Sequence, residues 1–232
     1  MSHGVVHIDL VRLAWMAFPV GLVLWLLGRE GMARGPLLYA LGRMLIQLLL
    51  IGYLLIAIFH AENSRVVLGV LAVMLGFSSW IALRTVPTRR MALLGKALLA
   101  IALGGGVTLV LVTRGVLALE PWYLPSYLIP LAGMVFANAM NSVALASERY
   151  FAERSRDVGE QEASREAVRA AMIPVVNALL AVGLVSLPGM MTGQILSGVS
   201  PLVAARYQIL VMAMIFSAAG LSTVIFLRLL RR

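Results

Sequence analysis

AAMIPVVNALLAVGLVSLPGMMTGQILSGVSPLVAARY, residues 170–207, is the stretch that decides the fold of this chain. Its first part, 170–187, is apolar and close to the length of about 20 residues that a helix needs to cross a bilayer. Pro188 and Gly189 then interrupt the helix, and the residues that follow are neither charged nor uniformly hydrophobic. Backbone that breaks helix at membrane depth is tolerated where it is buried in protein or lines a cavity. The stretch therefore predicts a helical membrane protein with a transport-like site at this break.

The composition of the whole chain indicates the same class. Of the 232 residues, 61% are hydrophobic and 12% are charged, and the mean hydropathy is +0.96. A soluble domain of this composition would aggregate. We expect an all-α, polytopic membrane bundle in which residues 1–232 form a single transmembrane domain. The chain contains no cysteine, which excludes disulfides and thiolate metal sites.

Seven segments are long and apolar enough to form membrane-spanning helices. They cover residues 10–27, 37–59, 66–83, 93–113, 124–147, 170–187 and 203–227. The first segment lacks the basic region and the small-residue cleavage site of a signal peptide, so we expect it to remain in the mature chain. A polar connector, residues 148–169, separates the fifth and sixth segments.

The distribution of Lys and Arg predicts the orientation of these segments. With the N-terminus outside, four basic residues lie on the outer side, namely Arg12, Arg65, Arg114 and Arg206, and the other 15 of the 19 lie inside. Cytoplasmic loops carry an excess of Lys and Arg, so we expect an outer N-terminus and a cytoplasmic C-terminus, with the connector 148–169 in the cytoplasm. The net charge of +9 is spread over the ends of the spans rather than gathered in one patch, so it does not indicate nucleic-acid binding.

Chemistry-bearing motifs are absent from the sequence. The chain has no G-x-x-x-x-G-K-[ST] motif with which to bind ATP. No Asp, Glu or His lies well inside a span, where proton-coupled carriers and redox enzymes place such groups. We therefore expect a chain that is not an enzyme and binds no cofactor itself. A pump of this kind would draw its energy from another subunit.

Amides and thioethers near the break are the candidate ligands. Asn138 and Asn141 share one face of the fifth segment, and we expected Asn177 and Gln47 to be the other buried amides. Two interpretations stay open, hydrogen bonding between helices and the lining of a substrate path. The candidate path residues are Asn138, Asn141, Asn177, Met190, Met191 and Gln194, and the candidate helix break or gate consists of Pro188, Gly189 and Gly193. Whether any metal is bound stays unknown from these residues.

The connector 148–169 has two interpretations as well. Glu162, Arg165, Glu166 and Arg169 are spaced to form a salt-bridged helix. Such a helix either serves as a solvated connector or docks on a cytoplasmic partner. The candidate residues on this segment for coupling to such a partner are Arg154, Arg156, Glu162, Arg165 and Arg169.

Two long stretches carry a family resemblance. AGMVFANAMNSVALA at 132–146 and the region 165–225, with VGLVSLPGMMTGQILSGVSP at its centre, resemble the FetB-type permease family of ABC transporters, whose plant relatives are aluminium-resistance half-transporters. GRMLIQLLLIGYLL at 42–55 is similar to the second helix of that family. The resemblance implies a bacterial inner-membrane permease that exports iron or a related metal ion with ATP hydrolysed by a separate ATPase subunit. A homodimer is the expected assembly, since one such bundle needs a second copy to face two ATPases.

Alternatives remain beside this function. One alternative is a non-transporting membrane scaffold or assembly subunit. It is supported by the scarcity of charged ligands and by a connector that is shorter than the cytoplasmic insert of the family that the chain resembles. An ABC permease for a substrate other than a metal is the third possibility.

Overall fold

The computed structural model describes residues 9–59 and 63–231, and its regular elements over these residues are helices. In chain order they are α1 (Leu10–Leu13), α2 (Ala17–Arg29), α3 (Arg34–Phe59), α4 (Ser64–Ala82), α5 (Arg90–Val110), α6 (Pro125–Arg154), α7 (Glu160–Ala181), α8 (Gly189–Leu196) and α9 (Pro201–Leu230). Short 3-10 turns join α1 to α2 and α4 to α5, and a π-helix, Leu111–Val116, extends α5. The predicted helical membrane bundle is confirmed.

Six helical stretches in the described residues are long and apolar enough to cross a membrane. They are Val11–Arg29, Arg34–Leu55, Ser64–Thr85, Pro87–Val116, Pro125–Arg154 and Pro201–Leu230. Each overlaps one of the predicted spans. The remaining predicted span, the sixth, at 170–187, has a different structure.

The sixth predicted span is a helix only up to Ala181, six residues short of its expected end. The helix stops there because Gly183 adopts a left-handed φ of +84° and its N–H donates to Ser186 O at 2.9 Å. The amides of Val185 and Ser186 fold back onto the Ala181 carbonyl, at 2.8 and 3.1 Å. The apolar helical part, 170–181, is about 18 Å long and falls short of the roughly 30 Å hydrocarbon core. The break thus begins at Gly183 and not at Pro188, where we predicted it.

The described residues divide into two compact units, with the boundary between His60 and Ala61. The first unit contains α2 and α3. Most apolar side chains of these two helices are exposed; Phe18 and Tyr53, for example, each expose 78% of their surface. This is the surface expected of helices that face lipid or another chain.

The second unit contains α4 to α9, and α9 is its central helix, packed against both α5 and α6. Small residues dominate the contacts: Ala97, Ala100, Ala139, Ala218 and Ala219 are all fully buried. Small side chains let the backbones of membrane helices approach closely, which supplies the packing that a hydrophobic effect cannot provide in lipid.

The polar connector is built from two helix ends rather than from a free loop. α6 continues to Arg154 and α7 starts at Glu160, so only five residues, 155–159, join them. Ala163 and Ala167 of α7 pack with Tyr150 of α6 and Leu227 of α9 in one buried cluster. The predicted connector helix is confirmed, and Glu166 and Arg169 form its ion pair at 2.9 Å.

Candidate functional site

The break between α7 and α9 is an ordered structure whose polar groups bond locally. Pro188 is the N-cap of α8, and its carbonyl accepts a hydrogen bond from Thr192 Oγ1 at 3.2 Å. Gly198 has a φ of +91° and ends α8, while Ser200 Oγ accepts from Val203 N and caps α9. Helix termini in an apolar environment need such partners for their free N–H and C=O groups. The break is therefore a built feature of the fold.

A pocket of about 410 Å³ lies where the end of α7, α8 and the first turns of α9 meet. Its lining is almost wholly apolar, with one amide, that of Gln208, and two thioethers, those of Met191 and Met212. Gln208 is only 6% exposed. Gln208 and Met212 are four residues apart on α9, so they lie on one helix face. The pocket thus brings one amide and two soft thioether groups together in an otherwise apolar lining.

Gln194 adds an uncommitted hydrogen-bond acceptor beside this pocket. Its Oε1 atom is buried and accepts no hydrogen bond from the described part of the chain. Gln194 follows Met191 by three residues on α8, which places both on the same side of that helix. A buried acceptor without a donor costs about 1–3 kcal/mol. Such an atom is suited to a polar ligand or a hydrated ion, since binding would satisfy it.

The predicted path residues on α6 and α7 are not brought into this pocket. Asn138 is half-buried, and its Nδ2 donates to the Met134 carbonyl one turn earlier, at 2.8 Å. Asn141 and Asn177 are exposed, as is Gln47. The expectation that Asn177 and Gln47 are buried amides is wrong, because each lies on a helix face that the helices of its own unit leave exposed; Gln208, at 6% exposure, is a buried amide.

The predicted gate residues flank the pocket without making tight contacts. Pro188 and Gly189 begin α8, and Gly193 lies in its middle. A Cβ placed on Gly189 or Gly193 would have no atom within 4 Å beyond its own surroundings in the helix. Met190 is half-buried, like Met191, but does not line the pocket. Among the described residues, no other helix therefore packs closely against the backbone at Gly189 or Gly193.

The residues predicted to couple to an ATPase are exposed at the connector. Arg154 Nη1 donates to the Val158 carbonyl at 2.8 Å and so holds the turn. The buried carboxylate of Glu153 pairs with Arg149 at 2.8 Å and, more distantly, with Arg156 at 3.7 Å. Glu162 and Arg165 are exposed without an ion pair among the described residues. The connector presents charges of both signs on a rigid helical hairpin.

Within residues 9–59 and 63–231, no three His, Asp or Glu side chains gather into a group that could hold a metal ion. The side chains of the pocket that could contact a ligand through N, O or S are the Gln208 amide and the Met191 and Met212 thioethers. Such ligands bind weakly compared with carboxylate or imidazole clusters.

Comparison with known protein families decides the family. The family described as "Uncharacterised protein family (UPF0014)" matches residues 10–232. The chain belongs to the UPF0014 family. The resemblance found in the sequence is thereby confirmed, because UPF0014 relatives of this chain include FetB.

Curated UPF0014 relatives match over most of their length. The UPF0014 membrane protein slr1647 of Synechocystis is 39% identical over 97% of this chain and 93% of its own. The "Probable iron export permease protein FetB" of Escherichia coli is 36% identical over 82% of this chain and 77% of its own. "Protein ALUMINUM SENSITIVE 3" of Arabidopsis thaliana is 31% identical over 82% and 74%. No solved structure matches the chain significantly. This UPF0014 protein is a multi-pass membrane protein.

Sequence reasoning missed Gln208 and Met212 of this UPF0014 chain. A signal for Gln208 was present, since it is the sole amide in the predicted span 203–227. Met212 carried no signal of its own, because methionine fills apolar cores more often than it contacts ligands. Only the packing of α8 against α9 distinguishes it from the other methionines of that helix.

Proposed function

We propose that this chain is the membrane permease subunit of an ABC transporter that exports iron or a related metal ion across a bacterial inner membrane. One observation carries the proposal: the helix break at Gly183 opens a pocket, lined by Gln208 and Met191, in a segment otherwise made for spanning lipid. Discontinuous helices of this kind form substrate sites in membrane transporters. The name of the FetB relative supports iron as the cargo.

A homodimer is part of this proposal. Asn141 and Asn177 lie on exposed faces of α6 and α7, within or beside apolar helical stretches. An amide facing hydrocarbon is unfavourable, so residues of this kind normally face a bundle interior or a water-filled cavity. A second copy packed on these faces would cover both amides. The substrate path would then lie between the two copies, and the Gln208 pocket of each copy would lie beside that path.

Coupling to the separate ATPase would use the α6–α7 hairpin. Its tip carries the exposed charges Arg156, Glu162 and Arg165, which are suited to a protein partner. α7 leads directly from this tip to Ala181, where the break begins. A rigid helix transmits a displacement along its axis, so ATPase movement at the tip would shift the wall of the pocket.

Metal efflux from loaded cells tests the function. Cells would express this chain together with its ATPase, or with an ATPase whose Walker A lysine is replaced. We expect faster loss of iron only with the active ATPase. Equal loss in both strains, at equal membrane levels of the chain, would contradict ATP-driven export and favour the scaffold alternative. If another metal left the cells in place of iron, the identity of the substrate would be corrected, and the proposed permease function would be retained.

A further inference from the structure

A second pocket, of about 540 Å³, lies at the other end of the α4–α9 unit, where α5 begins and α6 and α9 end. Three cationic side chains line it, those of Arg89, Lys96 and Arg154. This is the end that the distribution of basic residues places at the cytoplasmic surface of the membrane. The pocket takes no part in the proposed substrate path.

The three cations are not neutralised by the protein. The ion pairs among the described residues join Glu153 and Glu166 to other arginines, and none includes Arg89, Lys96 or Arg154. The nearby Glu160 carboxylate accepts a hydrogen bond from the Tyr150 hydroxyl at 3.2 Å.

The cations nevertheless are held in place and keep free donors. Arg89 stacks on the Phe151 ring, with its Cζ 4.6 Å from the ring centroid. Lys96 Nζ donates to the Leu229 carbonyl at 2.6 Å, and Arg154 donates to Val158. A guanidinium has five N–H donors and an ammonium three, so most of them remain available. The pocket is a preorganised anion site with fixed positive charges.

The rest of the lining suits a lipid. Leu93, Phe151 and Leu230 supply an apolar wall beside the charges. The start of α5 adds the partial positive charge of a helix N-terminus, and its N-cap, Arg89, makes no side-chain capping hydrogen bond with the first N–H groups. Free phosphate or an acidic protein segment would use the charges but not an apolar wall at the membrane surface.

We propose that this pocket binds the headgroup of an anionic phospholipid, and that it favours a lipid with two phosphates, such as cardiolipin, over zwitterionic lipids. Basic pockets between transmembrane helices on the cytoplasmic side bind headgroups of this class. Three cations exceed the single negative charge of one phosphodiester and are sufficient to balance the two of cardiolipin. The bound lipid would join the ends of α5, α6 and α9 next to the α6–α7 hairpin.

Native mass spectrometry of the purified full-length chain tests this proposal. The probes are cardiolipin, phosphatidylethanolamine and inorganic phosphate, each added alone, together with a competition sample that contains cardiolipin and inorganic phosphate at equal concentration. The variant is Arg89→Gln with Lys96→Gln, and the control with the same change of charge is Arg84→Gln with Arg228→Gln, both exposed and outside the pocket. We expect the pocket variant to bind cardiolipin roughly thirtyfold more weakly, at about fivefold for each cation removed. The control variant should bind cardiolipin like the wild type.

Because Lys96 also holds the end of α9, Arg89→Gln alone provides a second variant, and it should weaken cardiolipin binding about fivefold. Lys96→Arg should retain binding, since it keeps the charge. Equal loss of cardiolipin in pocket and control variants would overturn the proposal. So would displacement of cardiolipin by inorganic phosphate at equal concentration, which would indicate a free-phosphate site. If the pocket variant bound cardiolipin normally but no longer co-purified with the ATPase, the proposal would be wrong, and the pocket would be assigned to a contact with a protein.

Discussion

Gly104 of α5 and Ser222 of α9 lie in direct contact, and a Cβ on Gly104 would lie 2.5 Å from the Ser222 backbone nitrogen. The next residue, Gly105, meets α6 in the same manner, since its Cβ would lie 2.8 Å from Val135 Cγ1. Two adjacent glycines thus allow α5 to approach two different helices at one level. This crossing holds the bundle together at a point remote from the helix break.

The Gly104 contact predicts a loss of stability on a minimal substitution. Gly104→Ala should lower the free energy of unfolding by about 1–3 kcal/mol, because the added methyl group overlaps with backbone that cannot move freely. Thermal unfolding in detergent measures this. Gly106→Ala is the matched control, since its Cβ would have no neighbouring atom within 4 Å. Equal stability of the two variants would contradict the structure, because it would mean that α5 and α9 are farther apart at Gly104 than the structure shows.

Gln208 predicts a separation of transport from stability. Gln208→Leu removes the one amide of the 410 Å³ pocket and adds a side chain of similar size. We expect metal efflux to fall at least about tenfold while stability changes by about 1 kcal/mol, the typical value of a hydrogen bond between membrane helices. Gln47→Leu, at an exposed amide of α3, is the control and should transport normally. Intact efflux in Gln208→Leu would place the path elsewhere.

The exposed amides predict a contact between copies. The chain lacks cysteine, so a single introduced cysteine reports one position without interference. Asn141→Cys and Asn177→Cys should form disulfide-linked dimers on oxidation in membranes, because we expect a second copy to cover these faces. Val107→Cys, on an exposed apolar position of α5, is the control and should stay monomeric on denaturing gels. The reverse pattern of cross-linking would move the interface to the α5 side.

The α6–α7 hairpin predicts a site of ATPase contact. Arg165→Glu reverses an exposed charge that makes no ion pair among the described residues, so the hairpin itself should remain folded. Co-purification of the ATPase with the chain should fall at least about tenfold, as for other disrupted charge pairs at interfaces. Arg84→Glu, also exposed and predicted to be cytoplasmic, is the control. Loss with Arg84→Glu and not with Arg165→Glu would assign the contact to the α4–α5 turn.

Sequence reasoning identified the break between α7 and α9 but misplaced its start. Pro188 and Gly189 are strong local signals for a helix stop, and they do begin α8. Gly183 is the residue that ends α7, yet a lone glycine in an apolar run is common in membrane helices and gives no sign of a left-handed φ. Its conformation depends on the folding of Val185 and Ser186 back onto Ala181.

The sequence by itself determined the membrane class, the approximate spans and the family, because these depend on the length and polarity of continuous segments. The tertiary structure decided which polar residues are enclosed. Asn141 and Gln208 are both amides in apolar helices, and nothing local predicts that only one of them is buried. Gln208 is buried because α9 lies against other helices of its unit at that level, while Asn141 lies on a face of α6 that the helices of the same unit leave exposed. Burial in a bundle is set by which helix faces meet, and that choice depends on close contacts between small residues of different helices, such as Gly104 of α5 and Ser222 of α9.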